Sequence, residues 1–185
     1  QKLLSNNYID EVIIVVSKKN KEIIKKELSK KIGNSIQIVE GSKERMGSVK
    51  NAIKYLLAHN PKNIIIHDSA RPFFSSQIIN EGFKALKNFS CVVPLTKIVD
   101  TVKKLDSSRL LSTIDRSDLY YSQTPQFFDY NELSQLITKY GDYFNYSDEI
   151  QLFEKENIKI GTIDGNLLNH KITFENDLVE LENLN

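Results

Sequence analysis

Cysteine is nearly missing from this chain. Cys91, the only one, sits in the apolar run Cys91-Val92-Val93, so no intrachain disulfide can form, which suits a reducing compartment. No apolar stretch approaches the length of a membrane-spanning helix, and the charged start and apolar core of a signal peptide are absent. Neither sign of charge dominates: 25 Lys and Arg against 24 Asp and Glu leave a formal net charge of +1. Without a strong field, nothing recommends nucleic acid or membrane as a partner. The chain also lacks repeats, low-complexity linkers, a Ser-His-Asp set, Cys/His metal spacing, a Walker loop and a dinucleotide fingerprint. The expectation is a soluble protein of the cytoplasm, or of the plastid stroma in a plastid-bearing host. Its 185 residues suit one domain with a sizeable core.

What is present is an alternation of strands and helices. Val12–Val16 and Ile64–Ile66 are short apolar runs, the pattern of central parallel strands buried on both faces. Ile36–Val39, Cys91–Leu95 and Ile158–Ile163 read as further strands. Between them lie amphipathic helices. One runs from Ser17 as N-cap through Lys31, with Ile23, Ile24 and Leu28 on one face and Gly33 as stop. A second covers Gly47–Asn60, with Val49, Ala52, Ile53, Leu56 and Leu57 inward. A third is capped by Ser75 or Ser76 and carries Ile78, Ile79, Phe83 and Leu86. Later helices are expected over Asp129–Tyr140, from Ser147 through Glu154, and at the end of the chain behind Thr173 or Asn176. Asp148 and Glu149 read as first-turn acids of the helix behind Ser147. Such alternation predicts βαβ units and a mostly parallel α/β sheet.

Residues 96–125 break that rhythm. Ile98–Leu105, Leu110–Ile114 and Leu119–Gln123 are short β-like pieces separated by polar turns, predicting an antiparallel arm that projects from the core. An arm with open edges and little core of its own needs a partner surface, which a dimer supplies.

The chemistry is expected beyond the carboxyl end of Ile64–Ile66, where ligands bind in open α/β sheets. There Asp68 could ligate a divalent cation or merely cap a loop, and Arg71 could clamp a phosphate or merely pair with Asp68. His67, with no second metal-type ligand nearby, reads as structural. Gly41 through Ser48 joins a strand to a helix, and its backbone N–H groups with Ser48 could bind an anion or base edge. Lys171, between the last strand and the last helix, could neutralise polyphosphate charge, although alone it would pass for a surface lysine. Arg116, Thr124, Asp100 and Thr101 sit on the expected arm, where each alone is an ordinary turn or strand residue.

In order along the chain, GSKERMGSV (41–49), IIIHDSARPF (64–73), VPLTKIVDTVK (93–103), TIDRSDLYYSQTPQFF (113–128), YSDEIQLFE (146–154) and NHKITFENDL (169–178) resemble the 2-C-methyl-D-erythritol 4-phosphate cytidylyltransferase family. One such match is weak; six in register are specific. The resemblance implies a Rossmann-like nucleotidyltransferase fold whose β-arm, residues 96–125, mediates a homodimer. It implies transfer of a cytidylyl group from CTP to a polyol phosphate with Mg²⁺, in isoprenoid biosynthesis by the non-mevalonate route. Carried onto this sequence, Asp68 faces the metal and substrate, with Arg71 beside it. Gly41, Ser48 and Ser69 face the nucleotide, and Lys171 stabilises the charged α-phosphate. Asp100, Thr101, Arg116 and Thr124 hold the acceptor, the last three reaching from the arm into the partner's site.

Some positions differ from the family pattern: Ser42 replaces a glycine, Lys43 an acid, Ser69 a frequent alanine and His170 an apolar residue. The family's opening strand and glycine-rich phosphate loop have no counterpart here. The first residue is Gln1, so further N-terminal residues are expected in the natural polypeptide, and without them little activity. The alternatives are ribitol 5-phosphate cytidylyltransferase, which shares the HDS-x-RPF and QTPQ-F segments, and a non-catalytic nucleotide-binding or dimerisation remnant.

Overall fold

In the computed structural model, residues 2–32, 36–140, 146–174 and 177 are described. Parallel strands β1 (Val12–Val16) and β2 (Ile36–Glu40) form a sheet of their own. Between them run a 3-10 turn at Lys18–Asn20 and helix α1 (Lys21–Ile32). Ser17 makes no side-chain cap there, and Ile23 is exposed rather than packed inward. Helix α2 (Arg45–Leu56) follows, then β3 (Asn63–Ile66), α3 (Ser76–Ala85) and β4 (Cys91–Lys97). Leu57, expected inward, also points to solvent. Ser75 is the cap of α3, its hydroxyl accepting from the Ile78 amide at 3.2 Å.

The main sheet is mixed rather than mostly parallel. Strand β8 (Gln126–Asp129) lies between β3 and β4 and runs antiparallel to both. Consequently β3 is half buried at an edge of this sheet among the described residues, not a central parallel strand. Strands β3, β4 and β9 (Gly161–Asp164) share one direction, and β8 runs against them, as does the short strand that pairs with the end of β4. Pro125 and the short Phe127-Phe128 run conceal β8 in the sequence. Strand β7 (Tyr120–Ser122) pairs with the outer half of β4, and its chain continues into β8 through a cis Thr124–Pro125 peptide.

Period-2 alternation sends successive side chains to opposite faces. Phe127 and Val92 pack with Ile78 under α3. Phe128, Cys91 and Val93 pack on the other side against α2, α4 (Tyr130–Tyr140) and α5 (Ile150–Lys155). Both phenylalanines are fully buried, each contributing about 2–3 kcal/mol by removal from water. Gly82 allows α3 this close approach, because a Cβ there would fall 2.2 Å from the Phe127 ring.

The projecting piece is narrower than residues 96–125. It is the hairpin of β5 (Val102–Asp106) and β6 (Arg109–Ile114), a separate two-stranded sheet. All nine strand positions from Lys103 to Asp106 and from Arg109 to Thr113 are exposed, Leu105, Leu110 and Leu111 among them. Helix α5 starts at Ile150 without a side-chain cap, so Ser147 does not cap it; its hydroxyl accepts from the Gln151 amide instead. Gly33, the expected helix stop, and Asn176 with residues 175 and 178–185 of the expected C-terminal helix lie outside the described residues; Thr173, the other candidate cap, donates its hydroxyl to the Lys171 carbonyl at 3.2 Å.

Candidate active site

The loop after β3 is a tight turn closed by the Arg71 N–H on the Asp68 carbonyl at 3.0 Å. It presents Asp68, and Lys171 meets it from the loop behind β9. Lys171 Nζ stands 3.0 Å from Asp68 Oδ2, and Arg71 Nε approaches the same oxygen at 3.7 Å. The lysine loop is fastened beside the turn by the Ile172 N–H on the Ala70 carbonyl at 2.9 Å. The carboxylate, the guanidinium and the late lysine therefore converge, as the sequence predicts.

Burial works against the Asp68 charge. The Lys171 ammonium, by hydrogen bond and by charge, with Arg45 and Arg71 behind it, nevertheless holds the carboxyl below its usual range. Arg71 Nε has no hydrogen-bond partner although it is buried, while its Nη1 donates to the Asn169 carbonyl at 2.7 Å. A guanidinium with an uncommitted buried N–H beside an ammonium is suited to an anion such as a phosphate.

Thr124 is not an arm residue reaching elsewhere. It is buried in its own chain, where its hydroxyl accepts from the Asp68 N–H at 3.0 Å and lies 3.1 Å from His67 Nδ1. The reason is the continuity of β7 and β8 along β4, which carries Thr124 into the main sheet. His67 Nε2 faces the Arg71 carbonyl at 3.0 Å. A carbonyl only accepts, so Nε2 carries the proton and Nδ1 receives the Thr124 hydroxyl. Burial lowers the His67 pKa and keeps this ring neutral. His67 is thus a structural linker, as expected.

In the turn from Gly41 to Ser48, the Gly41 N–H donates to the Val16 carbonyl at 2.8 Å. A side chain at Gly41 would strike Ser48 Oγ, 2.9 Å from the Cβ position. Ser48 Oγ accepts from the Ser42 N–H at 3.0 Å and donates to the Glu44 carbonyl at 3.1 Å, closing the turn. Ser69 is exposed at the rim.

The arm residues are not brought into this cluster within one chain. Asp100 and Thr101 are exposed just before β5. Arg116 is exposed and donates to the Val99 carbonyl.

Sequence reasoning missed the strongest charge pair. Arg45, at the start of α2, grips Glu149 through two hydrogen bonds of 2.6 and 2.7 Å. Glu149 is fully buried, and the pair pushes the Arg45 pKa above its usual value even though burial opposes this. Asp148 beside it accepts from Gln126 Nε2 at 3.2 Å. These acids serve as anchors to α2 and β8, not as first-turn acids of a helix. A carboxylate directly ahead of the apolar run Ile150, Leu152 and Phe153 was the available signal. Gln123 and Asn169, both buried, were passed over too.

Asp68 has only one oxygen engaged by Lys171 and Arg71. No group of three metal-type ligands exists among the described residues. One carboxylate fits a hard cation that takes its remaining ligands from phosphate oxygens and water.

The family model described as "2-C-methyl-D-erythritol 4-phosphate cytidylyltransferase" matches residues 1–184. A protein of that name from Thermotoga neapolitana is 34% identical over 95% of this chain and 77% of its own length. A bifunctional IspD/IspF enzyme from Pelagibacter ubique is 37% identical over 93% of this chain, which spans only 44% of that longer protein. Among solved structures, a 4-diphosphocytidyl-2C-methyl-D-erythritol synthase from Anaerococcus prevotii superposes with a TM-score of 0.87 at 32% identity, covering 99% of this chain and 82% of the other.

Proposed function

The chain belongs to the 2-C-methyl-D-erythritol 4-phosphate cytidylyltransferase family, and we propose that it joins CTP to 2-C-methyl-D-erythritol 4-phosphate in isoprenoid biosynthesis. The observation that carries this at the level of chemistry is the meeting of Lys171, Asp68 and Arg71 at the sheet rim. A phosphate oxygen of the acceptor attacks the α-phosphorus of CTP in line. The bond to the β-phosphate breaks, pyrophosphate leaves with the electron pair, and a diphosphate link joins cytidine to the polyol. No protein nucleophile takes part, so the side chains orient the reactants and neutralise charge.

Lys171 faces the charge that grows on the α-phosphate, and Arg71 holds an anionic oxygen through its uncommitted Nε–H. The turn from Gly41 to Ser48 cradles the nucleotide, with Ser69 at the opposite rim. Asp68 would hold magnesium, which supplies further neutralisation of the triphosphate. The working form is a homodimer. Thr101 and Arg116, which flank the hairpin, serve the acceptor site of the partner, with Asp100 beside them, while Thr124 acts within its own chain. No helix among the described residues is long and apolar enough to cross a membrane.

The test is pyrophosphate release from CTP with each acceptor in turn. Turnover with methylerythritol phosphate is expected. A preference for ribitol 5-phosphate would overturn the acceptor assignment, and CTP binding without turnover on either would favour a non-catalytic module.

A further inference from the structure

Asn169 is fully buried without belonging to the charged cluster. Its backbone carbonyl accepts from Arg71 Nη1 at 2.7 Å. Its side-chain amide donates to the Thr124 carbonyl at 2.8 Å and to Gln123 Oε1 at 3.3 Å. Gln123 closes on the same loop, accepting from the Asn166 N–H at 3.0 Å and donating to the Asn166 carbonyl at 2.9 Å. On the other side of Lys171, the Ile172 N–H is held by the Ala70 carbonyl at 2.9 Å. Lys171 therefore stands between two anchors, both reaching the strand ends that carry Asp68, Arg71 and Thr124.

Packing alone does not call for an amide here. Leu167 and Leu168, just upstream, are exposed while the polar Asn169 goes inside. A buried amide must be hydrogen-bonded to be tolerated, so an apolar residue would fill the space at lower cost. What the amide adds is geometry. A lysine has a flexible four-carbon stem, and catalysis by alignment requires its backbone to be fixed. The same residue bears on Arg71 through its backbone carbonyl, so the loop that its side chain ties down sets two cationic groups against one carboxylate.

We infer that Asn169 is a positioning residue for cytidylyl transfer, fixing Lys171 and Arg71 relative to Asp68 by tying their loops to Thr124. The inference rests on the cytidylyltransferase reading above. It goes beyond that reading by placing part of the rate in a residue that touches neither substrate.

A double-mutant cycle tests it. Asn169→Ala, Lys171→Ala and the double variant are compared in the full protein for kcat, for KM of CTP and for thermal midpoint. A misplacement of about 1 Å costs on the order of 10²-fold in rate. Asn169→Ala is therefore expected to lower kcat roughly 10- to 100-fold with KM for CTP little changed. In the Lys171→Ala background most of that fall should vanish, because the group being aligned is gone, while the losses in thermal midpoint should still add. Equal rate losses in both backgrounds would mean a merely structural amide and overturn the inference alone. A wild-type protein without cytidylyl transfer would overturn the functional reading and this inference together. If the alanine variant does not fold, Asn169→Ser takes its place in the same cycle with the same expected outcomes.

Discussion

Lys171 Nζ lies 3.0 Å from Asp68 Oδ2, yet half of the lysine side chain remains in water. An ion pair this open contributes at most ~1 kcal/mol to stability. Under the proposed function its value lies in holding a cation where phosphate charge develops. Lys171→Ala is expected to lower kcat on the order of 10²-fold, the typical effect of removing one pre-aligned donor. Its unfolding free energy should move by less than ~1 kcal/mol. Steady-state kinetics and urea unfolding of the same preparation check both halves; a large stability loss would make the lysine structural.

Arg45 and Glu149 behave differently. Glu149 is fully buried, while Arg45 keeps 37% of its side chain exposed. Arg45→Ala strands a carboxylate in the interior and should cost about 3 kcal/mol, the low end for a broken buried pair because water reaches the arginine side. Adding Glu149→Gln should recover part of that loss by removing the uncompensated charge. Urea midpoints of the three variants measure it, and a mild Arg45→Ala would show that Glu149 finds solvent or another partner.

The His67 imidazole predicts an acid weakness. Burial lowers its pKa from the ordinary 6.5, so the folded state prefers the neutral ring. Below 6.5 the unfolded chain binds the proton first. The stabilisation is thus complete above that value and is lost as pH falls from there through the folded pKa. The loss is at most ~1.4 kcal/mol for each pH unit in that window. Unfolding free energies at pH 7.5 and 5.5 should converge for wild type and His67→Gln at the lower pH. A constant gap between them would mean that the ring titrates alike in the folded and unfolded states, so that burial does not shift it.

Thr124→Val keeps the shape but removes a hydroxyl that accepts from the Asp68 N–H and faces His67 Nδ1. Leaving a part-buried donor unpaired costs about 1–3 kcal/mol. Because the unpaired amide belongs to Asp68, kcat should fall as well. A variant as stable and as active as wild type would show that the turn does not need this bond.

The legible parts of the molecule were those written locally. Apolar runs mark the alternating elements; of the expected caps, Ser75 holds α3 while Ser17 and Ser147 cap nothing. The meeting of Asp68, Arg71 and Lys171 followed from their positions at strand ends, since an α/β sheet gathers such ends at one rim. Pairing partners were not legible. Ile64–Ile66 looks the same whether its neighbour runs parallel or reversed, and β8 hides behind Pro125. That one insertion decides the rest: it moves Thr124 from the arm into the core and narrows the arm to a hairpin. The Arg45–Glu149 and Asn169–Thr124 bonds join residues far apart in sequence, and neither end carries a local mark.

The hairpin makes the last prediction. Leu105, Leu110 and Leu111 are exposed on a two-stranded sheet that pairs with no other described strand, and such a hairpin is marginal by itself. Arg116, two residues past the end of β6, stays outside the Asp68 cluster of its own chain. If the arm completes a neighbour's site, Arg116→Ala and Lys171→Ala each disable a dimer, but by different halves of each site. Mixed subunits then contain dimers with one doubly damaged site and one intact site. Random exchange makes half of the dimers mixed, and half of their sites are whole, so roughly a quarter of wild-type activity should return. If Arg116 serves its own chain, every subunit keeps one defect and mixing restores nothing. Subunit exchange followed by the pyrophosphate assay separates the two arrangements.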